Sequence, residues 1–304
     1  MLMKPNTWLL DFCLNRYSQT GEDGVIEKAL EIIPQADKWC VEFGAWDGLF
    51  ASNTRNLIEN HGYSAVLIEG APSKFLKLRK NYAHRQNVIT RNAFVGFDLE
   101  DGLDSILTGL PIPVTFDFLS IDIDGNDYYA WKAIAKYRPK IICIEFNPTI
   151  PTEVEFIQPA NPSLSQGASL LSLVKMGKEK GYELVSVLHC NALFVDSKYY
   201  PLFEIEDNRP QTLRTDMSAI TYLFSAYDGT IFLTGSKALP WHHITMKARK
   251  AQQLPRFLRR YPGNYNQIEK LLFGLYVLCF SPGDFLKLIK RQFGSASPRS
   301  IVGE

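Results

Sequence analysis

Short apolar runs alternate with amphipathic stretches over the first two thirds of the chain. Glu22 to Ile33 sets Ile26, Leu30 and Ile33 on one helical face, and Thr20 and Asp23 are placed to cap its start. "KWCVEF" then reads as a short buried strand, followed by a glycine-rich turn and a helix near Ser52 to Asn60. "AVLIEG" gives a second strand, Ser73 to Tyr82 a helix opened by Pro72, and "VIT" a third strand. "FDFLSID" is the fourth strand, leading into a helix around Tyr128 to Ile134; "KIICIEF" is the fifth, before a helix over Gly167 to Lys180. "YELVSVL" and "NALFVD" pair as a hairpin. Continuous apolar strands alternating with amphipathic helices predict an α/β fold: a doubly wound, mostly parallel sheet with an antiparallel edge strand.

The pattern weakens past Lys198. Tyr222 to Ala226 and Ile231 to Thr234 are candidate strands; from Met246 the chain turns basic and helical, with Lys247, Arg249, Lys250, Arg256, Arg259 and Arg260. "YPGNYNQ" breaks it before "IEKLLFGLYVLCF" and "FLKLIKRQF". The organisation expected is a lead-in helix over 1–35, a ligand-binding domain over 36–200 and a mainly helical, basic C-terminal extension over 201–304. That extension either packs its apolar face on the core or offers a surface to an anionic partner or membrane.

Composition narrows the classes. With 46% hydrophobic and 21% charged residues the chain is globular, and a formal net charge of +1 gives no general preference for nucleic acid. Cys13, Cys40, Cys143, Cys190 and Cys279 lack metal-ligand spacing and suit a reducing, cytoplasmic setting. The longest apolar candidate, Leu271 to Phe280, is about half the ~20 residues a bilayer requires, and "MLMKPNTWLLDF" makes a poor signal peptide.

In such sheets ligands gather outside the carboxyl ends of the strands, where every polar cluster here falls. "VEFGAWDG" ends the first strand in Glu42, and Gly44 and Gly48 allow a tight turn beside a ligand. It is not the G-x-G-x-x-G dinucleotide fingerprint, since Trp46 and Leu49 fill the later glycine positions. The second strand ends in Glu69, where an acid takes ribose hydroxyls, so turn and acid together point to an adenosine-containing ligand. After the fourth strand come Asp122, Asp124 and Asp127. The Asp-x-Asp pair matches a divalent-cation site on a sugar diphosphate, and an EF-hand loop fits worse because Gly125 comes too early. Alternatively Asp124, Asn126 and Asp127 cap the next helix, a role that explains Asp122 least. Glu145 and Asn147 finish the fifth strand, so Asp122, Asp124 and Glu145 converge on one rim able to hold Mg²⁺ or accept a proton. His189 and Asn191 lie at a later strand turn, where a lone histidine is more often structural.

"VEFGAWDG", "LIEG", "DFLSIDIDGNDYYAWKAI" and "IEFNPT", in that order, resemble the FkbM-type family of S-adenosylmethionine-dependent methyltransferases. "YSQTGEDGVIEKALEII" is similar to the lead-in of one branch, and the resemblance spans Tyr17 to Asp196. It implies the class I methyltransferase (Rossmann-like) fold, seven strands with the last antiparallel, and O-methylation of a sugar or other hydroxylated metabolite. Residue by residue it implies a cofactor turn at Glu42, Gly44 and Gly48, with Trp46 and Asp47 inside it, and a ribose acid at Glu69. It also implies an acidic catalytic segment at Asp122, Asp124 and Asp127. The family commonly has Glu at the last two acidic positions and an Ala-Asn-type turn where Trp46-Asp47 stands. The expected partner is a small-molecule or glycan hydroxyl acceptor. The rival readings are a metal-dependent nucleotide-sugar glycosyltransferase using Asp122-x-Asp124 and a non-catalytic binding protein that keeps the fold.

Overall fold

The structure, a computed structural model, describes residues 4–34 and 37–293; the ends of the predicted lead-in and of the C-terminal extension lie outside the described residues. The chain divides into two compact units, residues 1–220 and 221–304.

The first unit opens with helix α1 (Glu22–Ile32), after which β1 (Trp39–Phe43), β2 (Ser64–Glu69) and β3 (Val88–Asn92) alternate with α2 (Arg55–Asn60) and α3 (Pro72–Tyr82). A short helix the apolar pattern did not predict, α4 (Leu103–Leu107), precedes β4 (Phe118–Ile121), α5 (Asp127–Ala133) and β5 (Ile141–Glu145). Then come α6 (Leu170–Glu179), the hairpin β6 (Tyr182–Val187) and β7 (Asn191–Asp196), and α7 (Pro210–Leu213).

The sheet runs β3-β2-β1-β4-β5-β7-β6. β1 pairs in parallel with β2 and β4, and β4 with β5, while β7 runs antiparallel between β5 and β6. This is the class I methyltransferase topology. Its strands are fully buried where their sequences are continuously apolar, as in Ile141–Ile144, and in Phe118–Ile121 the one polar residue, Ser120, is buried too. Trp131 of α5 anchors the core, its ring 4.9 Å from Phe194 and 5.9 Å from Tyr182. Strand order reverses between β1 and β4, so the crevice where such sheets bind ligands opens beyond the ends of those two strands.

The two ends of β4 are electrostatically opposite. At the amino end Asp117 is fully buried but paired, with Lys140 Nζ 2.6 Å away and the Lys38 amide donating to its other oxygen at 3.1 Å. At the carboxyl end carboxylates gather instead.

The start of α1 departs from expectation. Gly21, not a polar side chain, is its N-cap. Asp23 turns away to accept the amides of Arg16, Tyr17 and Ser18 at 2.8, 2.6 and 2.8 Å, pinning the lead-in loop, because three clustered amides outweigh one helical one.

The second unit comprises the hairpin β8 (Thr221–Ser225) and β9 (Ile231–Gly235), the short pair β10 (Ala238–Leu239) and β11 (Ile244–Thr245), and helices α8 (Ala248–Ala251), α9 (Gln267–Phe280) and α10 (Pro282–Phe293). Asn266 and Glu269 form a reciprocal capping box at the start of α9. Among the described residues no helix is long and apolar enough to cross a membrane.

Candidate active site

One carboxylate oxygen from each of Asp122, Asp124 and Glu145 lies within 4.8 Å of the others. β4 and β5 are neighbours in register, which brings the loop after Ile121 alongside Glu145, the last residue of β5. The loop is shaped by Asp127, whose carboxylate accepts the Ile123 amide at 2.8 Å and the Gly125 amide at 2.9 Å. Asp127 therefore serves the loop from the first turn of α5, and the N-cap residue Asn126 makes no side-chain cap. Asp124 sits at φ 58°, a left-handed conformation that Asp tolerates better than most residues.

Clustering buried acids raises their proton affinity. Asp122 is pushed up to about 8, first by burial and then by Asp127 and Asp124. Glu145 is pushed up to about 10, first by burial and then by Asp122, Asp127 and Asp124. Asp127 rises to about 6 by burial, held back by its bonds from Ile123 and Gly125. Every contribution to Asp122 and Glu145 points upward. Asp122 and Glu145 are therefore held toward their protonated forms at neutral pH, and a group poised that way can exchange a proton with a substrate or yield it to a cation. Three converging carboxylates also suit a hard, oxygen-preferring ion such as Mg²⁺.

The glycine turn stands beside this cluster, and its packing adds a structural role to the one read from the sequence. Gly44 is at φ +80°, and a Cβ there would land on the Asp122 backbone carbonyl. The absence of a side chain thus serves the β1–β4 contact. A Cβ at Gly48 would meet Tyr82 and Leu78 of α3, and Tyr82 Oη donates to the Gly48 carbonyl at 2.8 Å. Asp47 accepts the Leu49 and Phe50 amides at 2.9 Å each, closing the turn. Trp46 is half-exposed with Lys74 Nζ 3.8 Å from its ring centroid. Glu69 holds the turn from β2: one oxygen accepts the Trp46 amide at 2.9 Å and the other the Ala71 amide at 2.7 Å. Each oxygen keeps a further lone pair for a hydroxyl donor.

Glu42 braces the chain beyond the turn. It accepts Ser52 Oγ at 2.6 Å, the Asn53 amide at 2.8 Å and Thr54 Oγ1 at 2.7 Å, fixing the segment before α2. Burial still raises its pKa against those three bonds. Asn147 likewise braces its own loop, accepting the Thr149 amide at 3.0 Å and donating to the Gln166 carbonyl at 2.9 Å. His189 pairs with Asp216, Nδ1 to Oδ2 2.7 Å, and Asn191 donates to Glu22 at 3.0 Å.

Two residues that pattern reasoning missed shape the long connection between β5 and α6. Gln158, almost wholly buried, accepts the Gln166 and Gly167 amides at 2.7 and 2.8 Å and donates to Asn126 at 3.0 Å, tying this loop to the one carrying Asp124. Arg214, also buried, donates to the carbonyls of Pro148 and Ile150 at 2.6 and 2.8 Å. Nothing in their sequence surroundings marks either residue.

No protein-family model matches the chain. A stretch of 99 residues is 30% identical to the very-long-chain 3-oxoacyl-CoA reductase of Rattus norvegicus, covering 32% of this chain and 31% of the reductase, so the match spans about a third of that curated relative. Among solved structures the chain is similar to the N-terminal domain of EvdMO1 with SAH bound, at 14% identity and TM-score 0.39 over 59% of this chain and 82% of that one. It is also similar to the citrinin polyketide synthase CMeT domain, at 13% identity and TM-score 0.41 over 60% and 54% of the two chains. A SAM-dependent methyltransferase from Aquifex aeolicus matches at 12% identity and TM-score 0.36 over 56% and 88%.

Proposed function

We propose that this chain is an S-adenosylmethionine-dependent methyltransferase of the FkbM type that O-methylates a hydroxyl of a sugar or other small metabolite in a reducing, cytoplasmic setting. The observation that carries the reading is the place of Asp122. It lies at the carboxyl end of β4, against the Gly44 turn at the topological switch point, with its pKa lifted to about 8. An aliphatic hydroxyl attacks well only as its proton leaves, and a carboxylate tuned near neutrality is suited to take it. Bound S-adenosylmethionine would supply an electrophilic methyl group on a positively charged sulfur. The residues present fit such a ligand: Glu69 retains lone pairs for ribose hydroxyls, and a positive sulfur nearby would draw Asp122 toward its ionised form. Asp122 in its ionised form would take the acceptor's hydroxyl proton, so that the acceptor oxygen could receive the methyl that the cofactor's sulfur would give up. Holding these groups in line contributes several kcal/mol of barrier reduction.

A second reading gives Asp122, Asp124 and Glu145 to Mg²⁺, favoured by their mutual approach within 4.8 Å. The ion would then orient the acceptor hydroxyl and lower its pKa. Calorimetric titration with S-adenosylhomocysteine, set against a panel of nucleotide sugars, tests the class. Binding of S-adenosylhomocysteine is expected, and binding of a nucleotide sugar in its place would give the chain to the glycosyltransferase reading. Transfer of labelled methyl to hydroxylated acceptors, with and without chelator, then separates an enzyme from a binding protein and base from metal.

A further inference from the structure

Charge divides sharply along the chain. Residues 221–304 hold twelve Lys and Arg against four Asp and Glu, a net of +8, whereas residues 1–220 hold 21 against 28, a net of −7. The basic unit also carries an exposed apolar stripe on α9. Ile268, Leu271, Leu272 and Leu275 recur at i, i+3, i+4 and i+7 and are 70, 64, 40 and 50% exposed. The opposite face of the same helix is apolar too but is occupied: Phe273 packs its ring 5.7 Å from Tyr265, and Val277 is buried. No charged residue occurs from Leu271 to Phe280. A helix apolar on every side needs a second apolar environment.

We propose that residues 221–293 form a docking surface for an anionic membrane, with the outer face of α9 and the apolar edge of α10 lying in the interface. α10 has the required composition, with Leu286 and Ile289 exposed in one stripe and Lys287 and Lys290 bordering it. Trp241, Phe257 and Tyr261, each more than half exposed, are the side chains that settle at headgroup depth. Insertion is in-plane: the 14 residues of α9 extend about 21 Å, short of the ~30 Å hydrocarbon core. Charge decides between occupants. A second copy would bring +8 against +8, while anionic headgroups attract each basic residue near the surface.

The test mixes the full chain with phosphatidylcholine vesicles, with and without phosphatidylglycerol, and measures co-sedimentation. Binding is expected to be at least about tenfold stronger with the anionic lipid and to weaken as salt rises. Leu271→Ser with Leu275→Ser, and separately Lys287→Glu with Lys290→Glu, should each lower it by about tenfold or more while leaving the circular dichroism unchanged. Equal binding to both vesicle types, or none to either, overturns the proposal. So does a concentration-dependent dimer that the leucine substitutions dissolve, which would make α9 a contact between copies.

Discussion

Asp122→Asn offers a test of the acidic rim that needs no knowledge of the acceptor. Asp122 has an ordinary value of 3.8 and is pushed to about 8 in the folded chain, mainly by burial and then by Asp127 and Asp124. Its folded pKa is raised, so the folded state binds the proton more tightly than the unfolded chain. The associated stability is present below about pH 4 and is lost as pH climbs toward 8. At about 1.4 kcal/mol per pH unit, the full span would cost on the order of 6 kcal/mol. Asp122 and Glu145 compete for the same proton, so removing one carboxylate relieves about half, on the order of 2–3 kcal/mol at pH 8. Asn keeps the shape and does not titrate. The variant should therefore be more stable than the wild type at about pH 8, by about 5–10 °C in Tm, and nearly equal to it at about pH 4. Urea unfolding followed through the buried Trp131 measures the difference at both pH values. An equal gap at both, or a less stable variant at the higher pH, would refute the account of the rim as a cluster held together against its own charge.

Three further outcomes follow from the same contacts. Glu69→Ala should weaken S-adenosylhomocysteine binding about tenfold by calorimetry; because it also strands the Trp46 and Ala71 amides, it should cost about 1–3 kcal/mol of stability in urea titration. Gly44→Ala should yield little soluble protein because its Cβ meets the Asp122 carbonyl, whereas Gly62→Ala, at φ +70° with open space around it, should lose only about 1–2 kcal/mol; comparing soluble yield and Tm separates collision from backbone strain. Lys140→Met leaves Asp117 buried and unpaired and should cost about 3–5 kcal/mol, most of it restored by adding Asp117→Asn, as a double-mutant urea series will show.

The acidic rim was legible because the sheet rule and the apolar runs place strand ends without knowing their neighbours. Asp122, Asp124 and Glu145 could be named as convergent before any contact was known, and they do converge. The hairpin strand Asn191–Asp196 was likewise readable from alternation and a turn. The insertion of β7 between β5 and β6 rests on pairing between strands far apart in sequence, which periodicity does not encode; the sequence suggested an antiparallel strand at an edge, whereas antiparallel β7 lies inside the sheet and β6 forms the edge. The reasons behind individual residues were harder still. Gly44 looks the same whether a ligand or the Asp122 carbonyl lies opposite, and Glu42 looks free until Ser52 and Thr54 are seen to claim it. Gln158 and Arg214 act on backbone amides and carbonyls, which carry no sequence signature at all.

The ties of the lead-in set a timetable for synthesis. Trp8 donates its indole N–H to the Phe203 carbonyl at 2.9 Å, Asn6 accepts the amides of Glu206 and Asp207, and Glu22 meets Asn191. During synthesis the lead-in thus waits for partners about 170–200 residues downstream, a delay of roughly 10–40 s at ordinary elongation rates. Until then Trp8 and Leu9, buried in the finished unit, stay uncovered and available to a chaperone. A nascent chain cut short of Asn191 would carry the acidic rim while Glu22 still lacked that partner.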